Sequence, residues 1–316
     1  MTRYIVERLF AMLATLFIIL SIAFAVVRLM PGSVYDNPEL PDSVIEALER
    51  NAHLDKPLIV QYGYFLKGVV LENDWGTSVK IEPSVPAFEV LRKRIPASLG
   101  VNLIALFISI PLGILAGTAA ALKKNKMTDT VISFMVVICI SVPSFIFAAL
   151  LQYFLAYKLG WFPLLFEASG GFALRIHSVV LPVIALALGP IATITRYLRG
   201  ELVETLGADF MLLAQTKGLT RVQATMRHAF RNSCVPLVNI IIPMFTQILG
   251  GSLVVESIFS IPGVGGIMIN SINANDYSLT VAVLIFYSLI SLATMLVVDI
   301  SYGIVDPRIR LGGKSR

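Results

Sequence analysis

Apolar runs of about 17 to 25 residues are long enough to cross the hydrocarbon of a bilayer as helices, and they constrain this chain more than any other feature. Six are present, approximately Leu9 to Met30, Ala97 to Leu122, Asp129 to Tyr157, Ser178 to Leu198, Cys234 to Val255 and Leu279 to Tyr302. The first follows Arg3 and Arg8, as a cleaved signal would, but its apolar stretch is too long and no small-residue cleavage site follows, so it is read as a span. Composition agrees: only 14% of the residues are charged, against about 25% in a soluble domain. The expectation is an all-α polytopic membrane protein with six transmembrane helices.

The net charge of +5 invites a nucleic-acid reading until the basic residues are located. With the N-terminus inside, fifteen of the 25 Lys and Arg fall in cytoplasmic segments. Most of the other ten lie between Pro31 and Pro96, where ten acids outnumber seven bases. Both termini are therefore predicted to be cytoplasmic, and topology accounts for the charge without nucleic acid.

The segment 31–96 is too long for a mere connection. Ser43 and Glu46 make a capping-box pattern, with Ile45, Leu48 and Ala52 on one face and Pro57 ending that helix. A second amphipathic stretch, Leu58 to Leu71, precedes the turn-forming sequence ENDWG. A small helical insert on the outer face is expected. Prolines 111, 143, 182, 190, 236 and 243 fall within the spans and predict kinked helices in a bundle. Gly113 and Gly117 form a GxxxG pair that permits close helix contact. Charge at membrane depth is scarce, Glu256 and Asp299 being the main cases.

A search for enzyme chemistry fails. His53, His177 and His228 fall in three separate regions, and neither HExxH nor CxxC occurs. Cys139 and Cys234 offer no disulfide framework. The run PGVGG at 262–266 lacks the third glycine of a dinucleotide loop and reads as an outer turn. The terminal Gly313, Lys314 and Ser315 imitate a phosphate loop, but Arg308 stands where its first glycine is needed. Nucleotide chemistry, if the chain uses it, belongs to another subunit.

One cytoplasmic stretch, AQTKGLTRVQATMRHAFRN at 214–232, interrupts the apolar pattern. Leu202, Leu206, Phe210 and Leu213 are expected on one helical face, with a stop at Lys217 and Gly218. Thr220 and Gln223 make a second capping box. The helix it opens carries Val222, Met226 and Phe230 on one side and Arg221, Arg227 and Arg231 elsewhere. Helix, glycine turn and short basic helix suit docking into a groove of a soluble partner. A DNA-binding helix-turn-helix and a membrane-surface helix are the competing readings.

These residues resemble the glycine-centred loop of ABC importer permeases. The likeness runs along nearly the whole chain to the B-type permease of oligopeptide and dipeptide importers. It includes MPGS at 30–33, LDKPLIVQY at 54–62, DWGTS at 74–78, RIPASL at 94–99, ADFMLLAQTKGL at 208–219, VVESIFSIPGVG at 254–265 and DPRIR at 306–310. One departure matters. Leu212, Leu213 and Ala214 stand where the general importer loop has Glu-Ala-Ala, so position 212 offers no carboxylate.

The resemblance implies a type I permease fold divided as tail and first helix (1–30), insert (31–96), core (97–302) with its coupling loop (199–233), and cytoplasmic tail (303–316). It implies a C-type permease partner, two cytoplasmic ATPases that hold ATP and Mg, an extracytoplasmic peptide-binding protein, and a bacterial or archaeal plasma membrane. No cofactor is expected on this chain. Asp209, Ala214, Lys217, Gly218, Thr220, Arg221, Gln223 and Arg227 are the expected coupling residues. Asn239, Thr246, Gln247, Ser252 and Glu256 are candidates for the pathway. Similar machinery importing nickel, glutathione or oligosaccharide is the alternative within the class; a passive channel or a membrane-embedded enzyme is the alternative outside it.

Overall fold

The computed structural model describes residues 2–29, 35, 41–247 and 252–305, with side chains described except at 2–5, 246, 247 and 301–305. In chain order the helices are α1 (Thr2–Leu29), α2 (Asp42–Asn51), α3 (Leu58–Lys67), α4 (Ala87–Leu122), α5 (Met127–Ser141), α6 (Ser144–Leu151) and α7 (Phe172–Leu206). They continue as α8 (Asp209–Thr216), α9 (Arg221–Ala224), α10 (Phe230–Gln247), α11 (Leu253–Ile258), α12 (Val264–Asn273) and α13 (Tyr277–Val305). A two-stranded antiparallel hairpin, β1 (Thr77–Ser78) with β2 (Val85–Pro86), precedes α4.

Four stretches are long and apolar enough to cross a membrane: Val6–Leu29, Ala87–Leu122, Phe172–Leu206 and Tyr277–Ile300. Large apolar side chains remain uncovered, such as Phe10, Leu13, Phe107, Leu115 and Val137. In water they would form an aggregation surface; lipid tails are as apolar as these side chains and cover them without penalty.

The predicted third span is bent. Met127–Ser141 and Ser144–Lys158 meet at 100°, and the cause is local. Pro143 cannot donate a helical hydrogen bond, and it forces the preceding Val142 into extended geometry, φ −95° and ψ 122°. Counted as one broken span, the pair makes a fifth crossing. The predicted span from Cys234 to Val255 covers most of α10, which ends at Gln247, and the start of α11 at Leu253; residues 248–251 lie outside the described residues.

The chain forms two compact units, Met1–Ala97 with Pro262–Ala293, and Ser98–Ile261 with Thr294–Arg316. In the first, α3 lies along α1: the Phe24 ring is 5.3 Å from that of Tyr62 and 5.2 Å from that of Phe65. The two predicted helices after the first span are both present, but the Ser43–Glu46 box is not. α2 begins at Asp42 behind Pro41, with no side-chain cap, so Ser43 already sits inside the first turn. A core of Val90, Leu91, Val264, Ile267, Leu279 and Val283 joins α4, α12 and α13. The PGVGG run does not form the expected turn; Gly263 is the N-cap of α12 and Val264 and Gly265 are buried within it.

One buried carboxylate ties this unit together. Asp276 precedes α13 and is fully buried. Its Oδ2 accepts from Ser78 Oγ at 2.6 Å and from the amides of Val79, Lys80 and Ile81 at 3.1, 3.0 and 3.1 Å. Its Oδ1 accepts from the Leu279 amide at 3.4 Å, within the first turn of α13. Consecutive main-chain N–H groups make an anion-binding concavity, and here the anion is the chain's own.

In the second unit the GxxxG pair packs internally. A Cβ on Gly113 would lie 2.7 Å from Ile194 Cβ, and one on Gly117 would lie 3.0 Å from Leu198 Cβ. The bare backbones permit this approach of α4 to α7, and Thr195 Oγ1 donates to Gly113 O at 3.3 Å across it.

Candidate functional site: the helix, glycine turn, helix lever

α7 ends at Leu206, the chain turns through Gly207 and Ala208, and α8 starts with Asp209 in its first turn, where a carboxylate complements the helix dipole. α8 closes in a Schellman turn: Gly218 N–H donates to Gln215 O at 2.9 Å and Leu219 N–H donates to Ala214 O at 3.2 Å. Gly218 has φ +94°, a left-handed conformation that costs a side-chain-bearing residue about 1–2 kcal/mol. The expected capping box then forms. Gln223 N–H donates to Thr220 Oγ1 at 3.3 Å, and Thr220 N–H donates to Gln223 Oε1 at 3.0 Å.

The faces differ from the periodic expectation. Leu202, Leu206, Phe210 and Leu213 do not share one face: Leu202 is buried, but the turn at 207–208 resets the helix, so Met211 and Ala214 face inward while Phe210 and Leu213 are exposed. Beyond α9 a π-helical turn, Thr225–Ala229, rotates the next residues. Ala224, Thr225 and Ala229 are buried, whereas Val222 and Met226 are 72% and 58% exposed.

The inward residues form one cluster. Met211, Ala214, Ala224 and Ala229 pack with Ile194, Leu198 and Leu202 of α7 and Leu237 of α10. Thr205 and Ser233 add a hydroxyl pair at 2.6 Å between α7 and α10. Close-packed interiors transmit strain, and the lever, with α8 and α9 as its two arms and the glycine turn as its joint, shares such a core with α7 and α10. Its outward face presents Leu212, Leu213, Val222 and Met226, with Lys217, Arg221 and Arg227 exposed on the same segment. Asp209, Thr220 and Gln223 are exposed as well; of the expected coupling residues only Ala214 is buried.

Sequence reading missed the ion pair behind this lever. Asp129, in the first turn of α5, accepts bidentately from Arg199 of α7, at 2.5 Å from Nε and 2.7 Å from Nη2. The Asn125 amide adds a bond at 2.9 Å and Ser133 Oγ one at 3.3 Å. The available signal is an acid at the start of the third apolar run and a base directly after the end of the fourth.

The pathway candidates stand apart from the lever. Asn239 lies half-buried in α10, and its Oδ1 is buried without a hydrogen-bond partner among the described residues. Ser252 is the N-cap of α11 and its amide donates to Oε1 of the buried Glu256 at 3.3 Å. Thr246 and Gln247 fall in the last turn of α10, with side chains outside the described residues.

Long helices with apolar side chains left uncovered for lipid, and between two of them a packed helix, glycine turn, helix segment with an exposed face, define a multi-pass membrane protein. Residues 90–311 match the family of binding-protein-dependent transport system inner membrane components, and residues 1–91 match the N-terminal region of such membrane components. The chain belongs to this family. It is 38% identical to a dipeptide transport system permease protein of Lactococcus lactis over 98% of this chain and 100% of the relative. It is 36% identical to a dipeptide transport system permease protein of Bacillus subtilis, over 99% and 100%. An oligopeptide transport system permease protein of Escherichia coli is 33% identical over 98% and 100%. A solved chain of the methionine ABC transporter MetNI, inward facing, is 17% identical with a TM-score of 0.49, covering 67% of this chain and 96% of that one. The family is one of membrane subunits of transporters, and this chain is such a transport subunit, not an enzyme.

Proposed function

We propose that this chain, paired with a homologous permease, forms the path by which dipeptides or oligopeptides delivered by an extracytoplasmic binding protein enter the cell. Two cytoplasmic ATPases, which hold ATP and Mg, drive it. Both termini and the 199–233 lever face the cytoplasm, 31–96 faces outward, and 303–316 is a cytoplasmic tail. The names of the relatives support the cargo. The lever carries the mechanism: its inner face is packed into α7 and α10 while its outer face keeps four large apolar side chains and three cations uncovered.

Closure of the ATPase dimer displaces α9, and the shared core passes the displacement to α7 and α10, reorienting the bundle. The lever must bind the closed and open ATPase states with different affinity, since equal affinity shifts no equilibrium. Pathway contacts are assigned to Asn239, Thr246, Gln247, Ser252 and Glu256; few fixed contacts suit a cargo of varied side chains.

The test is reconstitution with the partner subunits in proteoliposomes. Val222→Asp and Arg221→Glu are expected to abolish peptide-stimulated ATP hydrolysis and uptake, while permease pairing persists on size exclusion. Normal uptake by both variants overturns the proposal.

A further inference from the structure

The first unit contains a cavity of about 430 Å³, within the range of small-molecule sites. It is walled by the end of α1, by α2 and α3, by the loop before β1 and by the start of α13. Nothing in the transport reading uses it. Two charged side chains of opposite sign line it, Arg28 and Asp74. The Arg28 guanidinium lies 5.6 Å from the Phe24 ring centroid and makes no ion pair among the described residues. One oxygen of Asp74 accepts the Gly76 amide at 2.8 Å, and the other makes no hydrogen bond among the described residues.

The walls are preorganised. Trp75 Nε1 donates to Asn73 Oδ1 at 2.9 Å, fixing the indole. Tyr64 stacks on His53 with centroids 4.1 Å apart. Gln61 Nε2 donates to Leu54 O and Lys56 O at 3.1 and 2.8 Å, holding the turn between α2 and α3. Tyr35 lies near enough to Arg28 to interact with it electrostatically, and a guanidinium that makes no ion pair among the described residues selects a carboxylate. A carboxylate in a cavity that Tyr64, Phe65, Trp75 and Tyr277 also line selects an ammonium.

We propose that this cavity binds a small zwitterion with a free carboxylate and a free ammonium, an amino acid or a dipeptide, apart from the translocation path. The assignment stands on Arg28 and Asp74 and not on the cargo reading, so either one survives failure of the other.

Trp75 and Trp161 are the two tryptophans of the chain, and a Trp161→Phe background leaves a single reporter in the wall. The full-length chain in phosphatidylcholine vesicles is titrated with dialanine, its C-terminal amide and its N-acetyl derivative, following tryptophan emission. Dialanine is expected to give a saturable change and the amide to bind about tenfold more weakly or worse. Arg28→Gln should impose a similar loss on dialanine and Arg28→Lys should restore much of it. Asp74→Asn should erase the preference for dialanine over its N-acetyl form. A flat titration, equal responses to dialanine and its amide, or an Arg28→Gln chain that keeps its helical circular dichroism and binds normally, overturns the proposal. If Arg28→Gln does not fold, the amide comparison decides alone. A change evoked by phosphatidylglycerol that dialanine fails to displace also overturns it, and assigns Arg28 to a lipid headgroup.

Discussion

Asp129 and Asp276 are both buried carboxylates at the start of long or bent apolar helices, and they are stabilised in opposite ways. Asp276 is held by main-chain amides and one hydroxyl, with no cation bound to it in the bonds described. Asp129 is held chiefly by a guanidinium on another helix. An amide cradle exists only where the backbone has already been folded into that shape, so it locks one conformation. A guanidinium fork is carried on a long side chain and tolerates small shifts of the helix that bears it. The rigid solution sits in the unit with the insert, and the adaptable one sits on α7, the helix that runs directly into the lever.

The largest effect that tests this contrast is at Asp276. Asp276→Ala strands four N–H groups and the Ser78 hydroxyl, and the expected loss is about 4 kcal/mol, enough to prevent recovery of folded chain. Asp276→Asn keeps an acceptor oxygen and should lose about half as much. Thermal unfolding of the purified assembly gives the order. Equal melting temperatures for wild type and Asp276→Ala would show that the cradle is not stabilising.

Next comes the pair. Asp129→Ala leaves the partly buried Arg199 without its carboxylate and should cost about 3 kcal/mol. The double change Asp129→Leu with Arg199→Met should recover most of it, because an apolar pair of similar volume needs no desolvation of charge. No comparable rescue exists for Asp276, whose partners are backbone. If the double variant is no better than the single ones, the two sites are alike and the contrast fails. The double variant should remain stable yet transport poorly if the fork keeps α7 in register during motion, and uptake beside melting temperature separates these roles.

The same contrast explains what the sequence made legible. Thr220, Gln223 and Gly218 act over three to five residues, and the turn and box they announced are present. So is the GxxxG contact surface, because two missing side chains leave a gap visible at helical spacing. The Asp276 cradle joins residues 195 to 198 positions apart, and the Asp129 fork joins residues 70 apart; no local pattern encodes either. The lever's faces were misjudged for a different reason. A 3.6-residue period assumes an unbroken helix, whereas Gly207 ends one and the π-helical turn at 225–229 shifts the next. Val222 and Met226 are both exposed, as an apolar docking side would be, while Phe230 turns partly into the core.

The smallest expected effect is also the sharpest. Ser78→Ala removes one of the donors to Asp276 and leaves the amides of Val79, Lys80 and Ile81 in place. If the backbone concavity carries the binding, the loss should be about 1 kcal/mol, a shift of a few degrees in melting temperature. The Ser78 hydroxyl also accepts the Glu82 amide at 3.0 Å, so that N–H loses its partner in the same variant and contributes to this figure. A loss as large as that of Asp276→Asn would mean that the side-chain hydroxyl, not the amides, positions the carboxylate. The rigid cradle would then be a two-residue contact, no more conformation-locking than the fork at Arg199.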